Sequence, residues 1–301
     1  MKFSDFLLKV RTDKSLSQRA LVEHLSTTSE ALSRLDITTL SRWERGVTKP
    51  TLNKQFLIAR LMGYDVVQLL RANHTESLLS INKKLDKLIS RVLNPYLSDS
   101  TDFKLIRIDS LKDNPNICEK LCFFHNEYLG LKLDADFFRK SNLHADIYVN
   151  DTGELVGHFI YGYLSRNTDL SILSLEKGNE VNFIHKSDTD ATQLYAVSMF
   201  SSLSKPRALN ILSILELLRK NTSVSSLIIN CHSQDAFDLY ETTQELTILR
   251  KGKRIKNGGV NLFSKHYRYV QIRVKPEEIL ASKLVYDVLP YSHTDILNLI
   301  S

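Results

Sequence analysis

The 301-residue chain is 43% hydrophobic and 25% charged, an ordinary soluble composition long enough for two domains. No stretch approaches the roughly 18 apolar residues of a bilayer span, and Met1-Lys2-Phe3-Ser4-Asp5 lacks a signal-peptide layout, so a cytoplasmic protein with no membrane partner is expected. The formal charge of +6 is uneven: residues 1–95 hold 16 Lys and Arg against 9 Asp and Glu, the remainder 24 against 25. A surplus gathered at one end is what phosphate binding requires, although a solvated surface would also carry it. Three cysteines, Cys118, Cys122 and Cys231, form no disulfide framework and fit a reducing compartment. Cys118, Cys122 and His125 stand at helical spacing, but no fourth ligand accompanies them, and neither metal nor cofactor is expected.

In chain order, Phe3, Phe6, Leu7 and Val10 mark a first helix, and Ser17 caps a second, Gln18 to Leu25, with Ala20, Leu21 and Leu25 inward. After a long connection, Ser26 to Leu35, Asp36 caps a short helix in which Ile37, Leu40 and Trp43 or Glu44 form the buried side, and Gly46 closes it. Its other side offers Thr38, Thr39, Ser41, Arg42 and Arg45, with Glu44 as the one exposed acid. Hydroxyls and guanidinium groups at this spacing reach base edges and phosphates in a major groove. Pro50 opens a further helix ended by Gly63, and Val66 to Leu70 begins another, which completes a five-helix set over residues 1–72.

These residues resemble the lambda-repressor-like (Cro/C1, XRE-type) helix-turn-helix family. The family's pattern reads here as Leu16-Ser17-Gln18, Leu21 to Leu25, Ser41-Arg42-Trp43-Glu44-Arg45-Gly46 and Pro50, about a quarter of the chain. The resemblance implies that Gln18, Arg42 and Lys49 contact phosphate or flanking bases, with Arg19 and Arg45 beside them, while Thr38, Thr39 and Ser41 face the groove. Trp43 and Glu44 would hold the motif together. The connection before Asp36 is longer than the family's, and Ile37 stands where an amide often reads a base.

Beyond Leu70, the apolar positions Leu78, Ile81, Leu85, Leu88 and Val92 follow an a/d spacing. Residues 73–101 therefore read as a linker helix that either pairs two chains or packs on a neighbouring domain. The second domain, 102–301, alternates strands and helices. The expected strands are Phe103 to Ile108, Ala145 to Val149, Leu155 to Tyr163, Gln193 to Phe200 and Val224 to Cys231, with a closing hairpin of Val260 to Ser264 and Tyr267 to Val274. Helices are expected from Asn116 to about Gly130, from Ala135 to Lys140, from Ser204 to Leu218, from Gln234 to about Leu246, and from Pro276 to Val285.

That order resembles the GCN5-related N-acetyltransferase (GNAT) fold, with Asp151-Thr152-Gly153-Glu154-Leu155-Val156-Gly157 as its central hairpin and Ala236-Phe237-Asp238-Leu239-Tyr240-Glu241 as its segment after the fifth strand. The family's Gly-rich coenzyme A pyrophosphate turn is missing. Phe200-Ser201-Ser202-Leu203-Ser204-Lys205-Pro206-Arg207-Ala208 contains no glycine, and Pro206 removes an N–H donor. Ser204, Lys205 and Arg207 still mark a candidate anion site, and the resemblance puts Tyr240 where that family keeps a general acid, although a core tyrosine is the simpler reading. From Arg250 to Lys275 there are nine basic residues and no acidic ones, interleaved with Tyr267 and Tyr269.

The expectation is thus an α plus α/β protein: an N-terminal five-helix helix-turn-helix domain, a linker helix and a C-terminal mixed α/β GNAT-like domain. Its function would be that of a sequence-specific transcriptional regulator, dimeric on an inverted repeat of double-stranded DNA, with a ligand-sensing or oligomerisation domain that takes a small-molecule effector. The alternative is an acyl-CoA-dependent N-acyltransferase with an attached DNA-binding domain.

Overall fold

The computed structural model describes residues 1–70, 102–129, 133–140, 142–173, 181–186, 192–241 and 245–290. The expected a/d seam from Leu78 to Val92 and the linker 73–101 lie outside the described residues.

Four helices form the N-terminal part: α1 (Phe3–Asp13), α2 (Gln18–Thr28), α3 (Ile37–Glu44) and α4 (Leu52–Leu61), followed by a 3-10 turn, Val66–Leu69. Their ends follow from side-chain chemistry. Ser17 Oγ accepts the Ala20 N–H at 3.1 Å, and Asp36 accepts both the N–H (2.7 Å) and the hydroxyl (3.2 Å) of Thr39. Gly46 at φ +69° and Gly63 at φ +80° supply the left-handed residues that stop α3 and α4. Phe6, Leu7, Leu21, Leu25, Leu40 and Phe56 are fully buried between these helices, each contributing about 1.5–3 kcal/mol through burial. The expected fifth helix is a 3-10 turn as far as Leu69. The helix expected to end at Leu25 runs about one turn further, to Thr28, where the hydroxyls of Thr27 and Thr28 donate back to the Glu23 and His24 carbonyls.

The remainder builds a seven-stranded sheet in the order β1-β2-β3-β4-β5-β10-β6, from β1 (Phe103–Ile108), β2 (Leu143–Asn150), β3 (Leu155–Ser165), β4 (Thr192–Ser201), β5 (Val224–Cys231), β6 (Thr247–Lys251) and β10 (Val270–Val274). All neighbours are antiparallel except β4 and β5. A parallel pair needs a long crossover, and α7 (Ser204–Lys220) provides it. α5 (Pro115–Phe123), a π-helical turn (Phe124–Tyr128) and α6 (Ala135–Phe138) follow β1; α8 (Gln234–Glu241) follows β5. Both faces of the sheet are covered. One core holds Phe159, Leu209, Leu227 and Ile229 together with the N-terminal helices; the other holds Ile147, Ile160, Phe137 and Tyr195.

The expected closing hairpin is partitioned differently. β8 (Val260–Leu262) and β9 (Lys265–Tyr267) form the hairpin and, with β7 (Arg254–Ile255), a separate three-stranded sheet. β10 instead inserts between β5 and β6, since Val270, Ile272 and Val274 are the residues able to face a core. The helix expected to reach Leu246 is described as far as Glu241, and Leu246 itself is not helical; the one expected from Pro276 to Val285 divides into α9 (Pro276–Leu280) and α10 (Lys283–Tyr286).

The two parts share a packed boundary. α4 lies against α9, Phe56 stacks on Tyr286 with ring centroids 6.3 Å apart, and Asp65 pairs with Arg219 at 3.1 Å. The buried Arg60 guanidinium donates to the carbonyls of Leu218, Asn221 (3.3 Å) and Val224, at the end of α7 and the start of β5. Burial pulls Arg60 down to about 10, while Glu277 and Asp65 act in the opposite direction, so it stays charged at neutral pH.

Candidate functional site

The first candidate is the outer face of α3. Thr38, Arg42 and Arg45 are exposed along it, with Lys49 just beyond and Arg19 near the start of α2. Gln18 Nε2 donates to Glu44 Oε2 at 2.6 Å, which sets the first turn of α2 against the last turn of α3 and places Arg19 and Arg45 on neighbouring elements. Glu44 also takes two bonds from Arg11, at 2.5 and 3.2 Å. It is therefore not the exposed acid expected from spacing: at 7% exposure its charge is satisfied internally, which leaves the capping Asp36 as the exposed carboxylate beside α3.

Two further positions differ from the sequence reading. Ile37 is 39% exposed rather than buried, because the first residue of α3 points away from the core, and Val47 lies open beyond the helix end. Thr39 is half-buried, and its hydroxyl is engaged by Asp36. Ser41 is half-buried; its carbonyl accepts from Arg45 Nε at 3.3 Å.

The second candidate is a cleft in the sheet. β4 and β5 pair only from Thr192↔Val224 to Ala196↔Ile229, although β4 continues to Ser201 against β3 and β5 continues to Cys231 against β10. Val197 is the extra residue where the β3–β4 register shifts, and its carbonyl is captured by Asn230 Nδ2 at 3.1 Å. Asn230 is held in turn by Tyr195 and Gln271, each at 3.0 Å. This polar network fixes the point at which the strands part, and beyond it opens a cavity of about 500 Å³, an ordinary size for a small-molecule site.

Met199, Phe200, Ile211, Ile229 and Leu239 give the cavity apolar walls, and Asn210, His232, Arg207 and Tyr240 give it polar points. Asn210 is 0% exposed; its Nδ2 donates to the His158 carbonyl at 3.1 Å, while Oδ1 has no hydrogen-bond partner among the described residues. Both ring nitrogens of His232 are likewise buried without one. Burial brings His232 down to about 4, so the ring is neutral and presents one donor and one acceptor.

His125 also falls to about 4, mainly through burial. Its Nδ1 lies 2.6 Å from the Leu121 carbonyl, which assigns the proton to that nitrogen. His158, whose Nε2 is 2.9 Å from Ser198 Oγ, is driven well below its ordinary range by burial and by its two histidine neighbours. Cys118 and Cys122 donate to the Leu111 and Leu133 carbonyls, and among the described residues no group of three His, Cys, Asp or Glu could hold a metal ion.

Of the expected anion site, Arg207 lines the cavity and donates to the Ser201 carbonyl at 3.1 Å, whereas Ser204 and Lys205 form the first turn of α7 outside it. Ser201 Oγ folds back on the Leu203 N–H at 3.0 Å, closing the strand-to-helix turn on itself. Tyr240 lines the cavity from α8. Burial raises its phenol far above the ordinary range, so it holds its proton at neutral pH. Spacing alone did not single out Asn210, His158 or His232. Their signal is a polar side chain inside an apolar run, as in Ala208-Leu209-Asn210-Ile211-Leu212.

No helix among the described residues is long and apolar enough to cross a membrane. The chain matches no protein-family model, and comparison with curated proteins finds none similar in sequence.

Proposed function

We propose that the protein is a sequence-specific DNA-binding transcriptional regulator, dimeric on an inverted repeat, whose sheet domain senses a small molecule. The observation that carries this reading is the outer face of α3, where Arg42 and Arg45 stand beside Thr38, Glu44 is turned inward to Arg11 and Gln18, and the nearest exposed carboxylate, Asp36, is engaged as the helix cap. Exposed Ile37 and Val47 add apolar surface of the kind that meets thymine methyl groups. α4, not α3, carries the contacts to the sheet, so the recognition face stays open. The test is selection of genomic duplex fragments by the purified protein at near-physiological salt. Wild type recovers a shared inverted repeat and Arg42→Ala loses about 1–3 kcal/mol of affinity for it. Random fragments recovered equally by both proteins overturn the reading.

A second reading, an acyl-CoA-dependent N-acyltransferase on a GNAT-like fold, is favoured by the strand order, by the cleft at the single parallel pair and by Tyr240 on its wall. Against it stand the glycine-free turn and Pro206 in the first turn of α7, which offer a pyrophosphate few backbone donors. Titration with acetyl-CoA and octanoyl-CoA decides between the two.

A further inference from the structure

The basic run from Arg250 to Lys275, nine cations without an acid, belongs to neither candidate site. Part of it is committed within the fold: Lys275 pairs with Glu245, Arg250 donates to the Ser171 carbonyl at 2.7 Å, and Arg268 donates to the Leu129 carbonyl at 3.3 Å. Lys253, Arg254, Lys256 and Lys265 differ. All four are exposed, and none pairs with a carboxylate among the described residues.

These four stand on the small β7-β9-β8 sheet and the chain beside it, which extend the large sheet as a ribbon. The Gly252 N–H meets the Tyr269 carbonyl at 2.9 Å and the Arg268 N–H meets that of Lys253 at 3.0 Å, so the pairing of β6 with β10 runs on into β7 with β9. β8 is anchored. Val260 and Leu262 are buried, and the Asn261 N–H donates to Gln234 Oε1 at 2.7 Å. α8, which brings the acids Asp235, Asp238 and Glu241, packs against β8, the opposite edge from the basic β7. The positive charge is thus held on a preformed edge.

At the turn between β8 and β9, Phe263 and Ser264 hold φ +51° and +62°, and the Phe263 ring is 89% exposed. Neither the strain nor the open ring stabilises the fold. A lone aromatic ring among cations, on strands narrow enough for a groove, suits a wedge set against bases and sugars.

β5 relates the ribbon to the helical part. Its last residue, Cys231, pairs with Val270, where the ribbon rejoins the sheet; its first, Val224, gives its carbonyl to Arg60 of α4. At 3.3 Å per residue those two points are about 23 Å apart. The domain carrying α3 is therefore held at one end of the strand and the ribbon at the other.

We propose that the β7-β9-β8 ribbon is a second duplex-DNA surface: it grips phosphates through Lys253, Arg254, Lys256 and Lys265 without reading sequence, sets Phe263 against a groove, and holds a stretch of DNA apart from the one α3 reads. The grip stands by itself; the holding of two stretches rests on the regulator reading.

The test is fluorescence anisotropy of the full-length protein with a labelled duplex of arbitrary sequence over a salt series. Replacing the four cations together with Gln lowers the slope of log affinity against log salt by about 3–4, the counterions of one phosphate for each, whereas Arg42→Ala lowers it by about 1. Lys253→Arg with Lys265→Arg leaves the slope unchanged, and Phe263→Ala weakens binding without altering it. Bead-bound duplex captures a second, labelled duplex through wild type but not through the four-cation variant, although that variant still occupies the beads. A slope indifferent to the four cations overturns the proposal, as does their loss affecting phosphatidylserine vesicles and not duplex. A lower slope with capture retained overturns the second stretch. Failure of the regulator reading is separate: no inverted repeat is recovered and Arg42→Ala changes nothing, while the four-cation variant still loses slope. Thermal melting of each variant confirms that it is folded.

Discussion

The Arg60 guanidinium of α4 donates to the carbonyl of Leu218 in the last turn of α7, 158 positions away along the chain. The residue thus occupies the negative end of the longest described helix and satisfies carbonyls that the helix itself leaves unpaired. Replacing Arg60 with alanine strands those carbonyls and that of Val224 inside the boundary. The expected loss is about 2–5 kcal/mol, with the helical part melting separately from the sheet. Urea unfolding followed by Trp43 fluorescence and by far-ultraviolet circular dichroism checks it: the two probes coincide in wild type and separate in the variant.

Glu44→Gln keeps the shape of the side chain but removes the charge that Arg11 and Gln18 share. Stability should fall by about 1.5–3 kcal/mol, because Arg11 loses its carboxylate partner and Gln18 its acceptor charge. Affinity for duplex DNA, corrected for the folded fraction, should fall less than with Arg42→Ala. A larger loss would place Glu44 in the proposed DNA face itself.

Stability should decline on acidification. His125 and His232 titrate near 4 in the folded protein and near 6.5 when unfolded, so between those values the unfolded chain binds more protons and folding weakens as pH falls. The shifts correspond to something on the order of 3 kcal/mol for each ring, fully present above pH 6.5 and lost by about pH 4. Asp146 and Glu277, both raised by burial, act with the opposite sign at the acid end. Urea midpoints at pH 7 and 4.5 for wild type and His125→Gln isolate the histidine share: the variant should show the shallower dependence.

The β8–β9 turn holds Phe263 at φ +51° and Ser264 at φ +62°, with the Phe263 ring 89% exposed. Neither residue suits that conformation. Substituting Asn for Phe263 and Gly for Ser264 gives the turn the residues its backbone demands and should stabilise the protein by about 1–2 kcal/mol. An unchanged melting temperature would mean that the hairpin opens without unfolding the rest.

What was legible in the sequence is what local chemistry controls. Asp36 and Gly46 bound α3, and Gly153, at φ +79°, sits in the turn between β2 and β3. What was not legible depends on distant partners. Ile37 was assigned to the wrong side of α3, and Glu44 was left between the two sides, because helical spacing does not reveal that Arg11 draws the carboxylate inward. β6 was not anticipated, since Thr247–Lys251 merges with the basic run and gains its role only when β10 pairs with it. β2 to β5 are buried on both faces over long stretches, which erases the alternation that would have fixed their register. The cleft follows from a one-residue register shift at Val197, and nothing in the local sequence announces it.

α7 joins the two candidate sites as a single rod. Its 17 residues span about 25 Å, with Asn210 and Ile211 in the cleft near its middle and the Leu218 carbonyl holding Arg60 close to its C-terminal end. A tilt of about 5° about Asn210 would displace the Leu218 end, and the helices docked on it through Arg60, by roughly 1 Å, a shift that the proposed pairing of two half-sites would have to absorb. Coupling of this kind runs in both directions. Whatever factor a ligand in the cleft imposes on affinity for an operator, the operator must impose on affinity for that ligand, so a fixed oligonucleotide is itself a reagent for measuring how tightly the cleft is held.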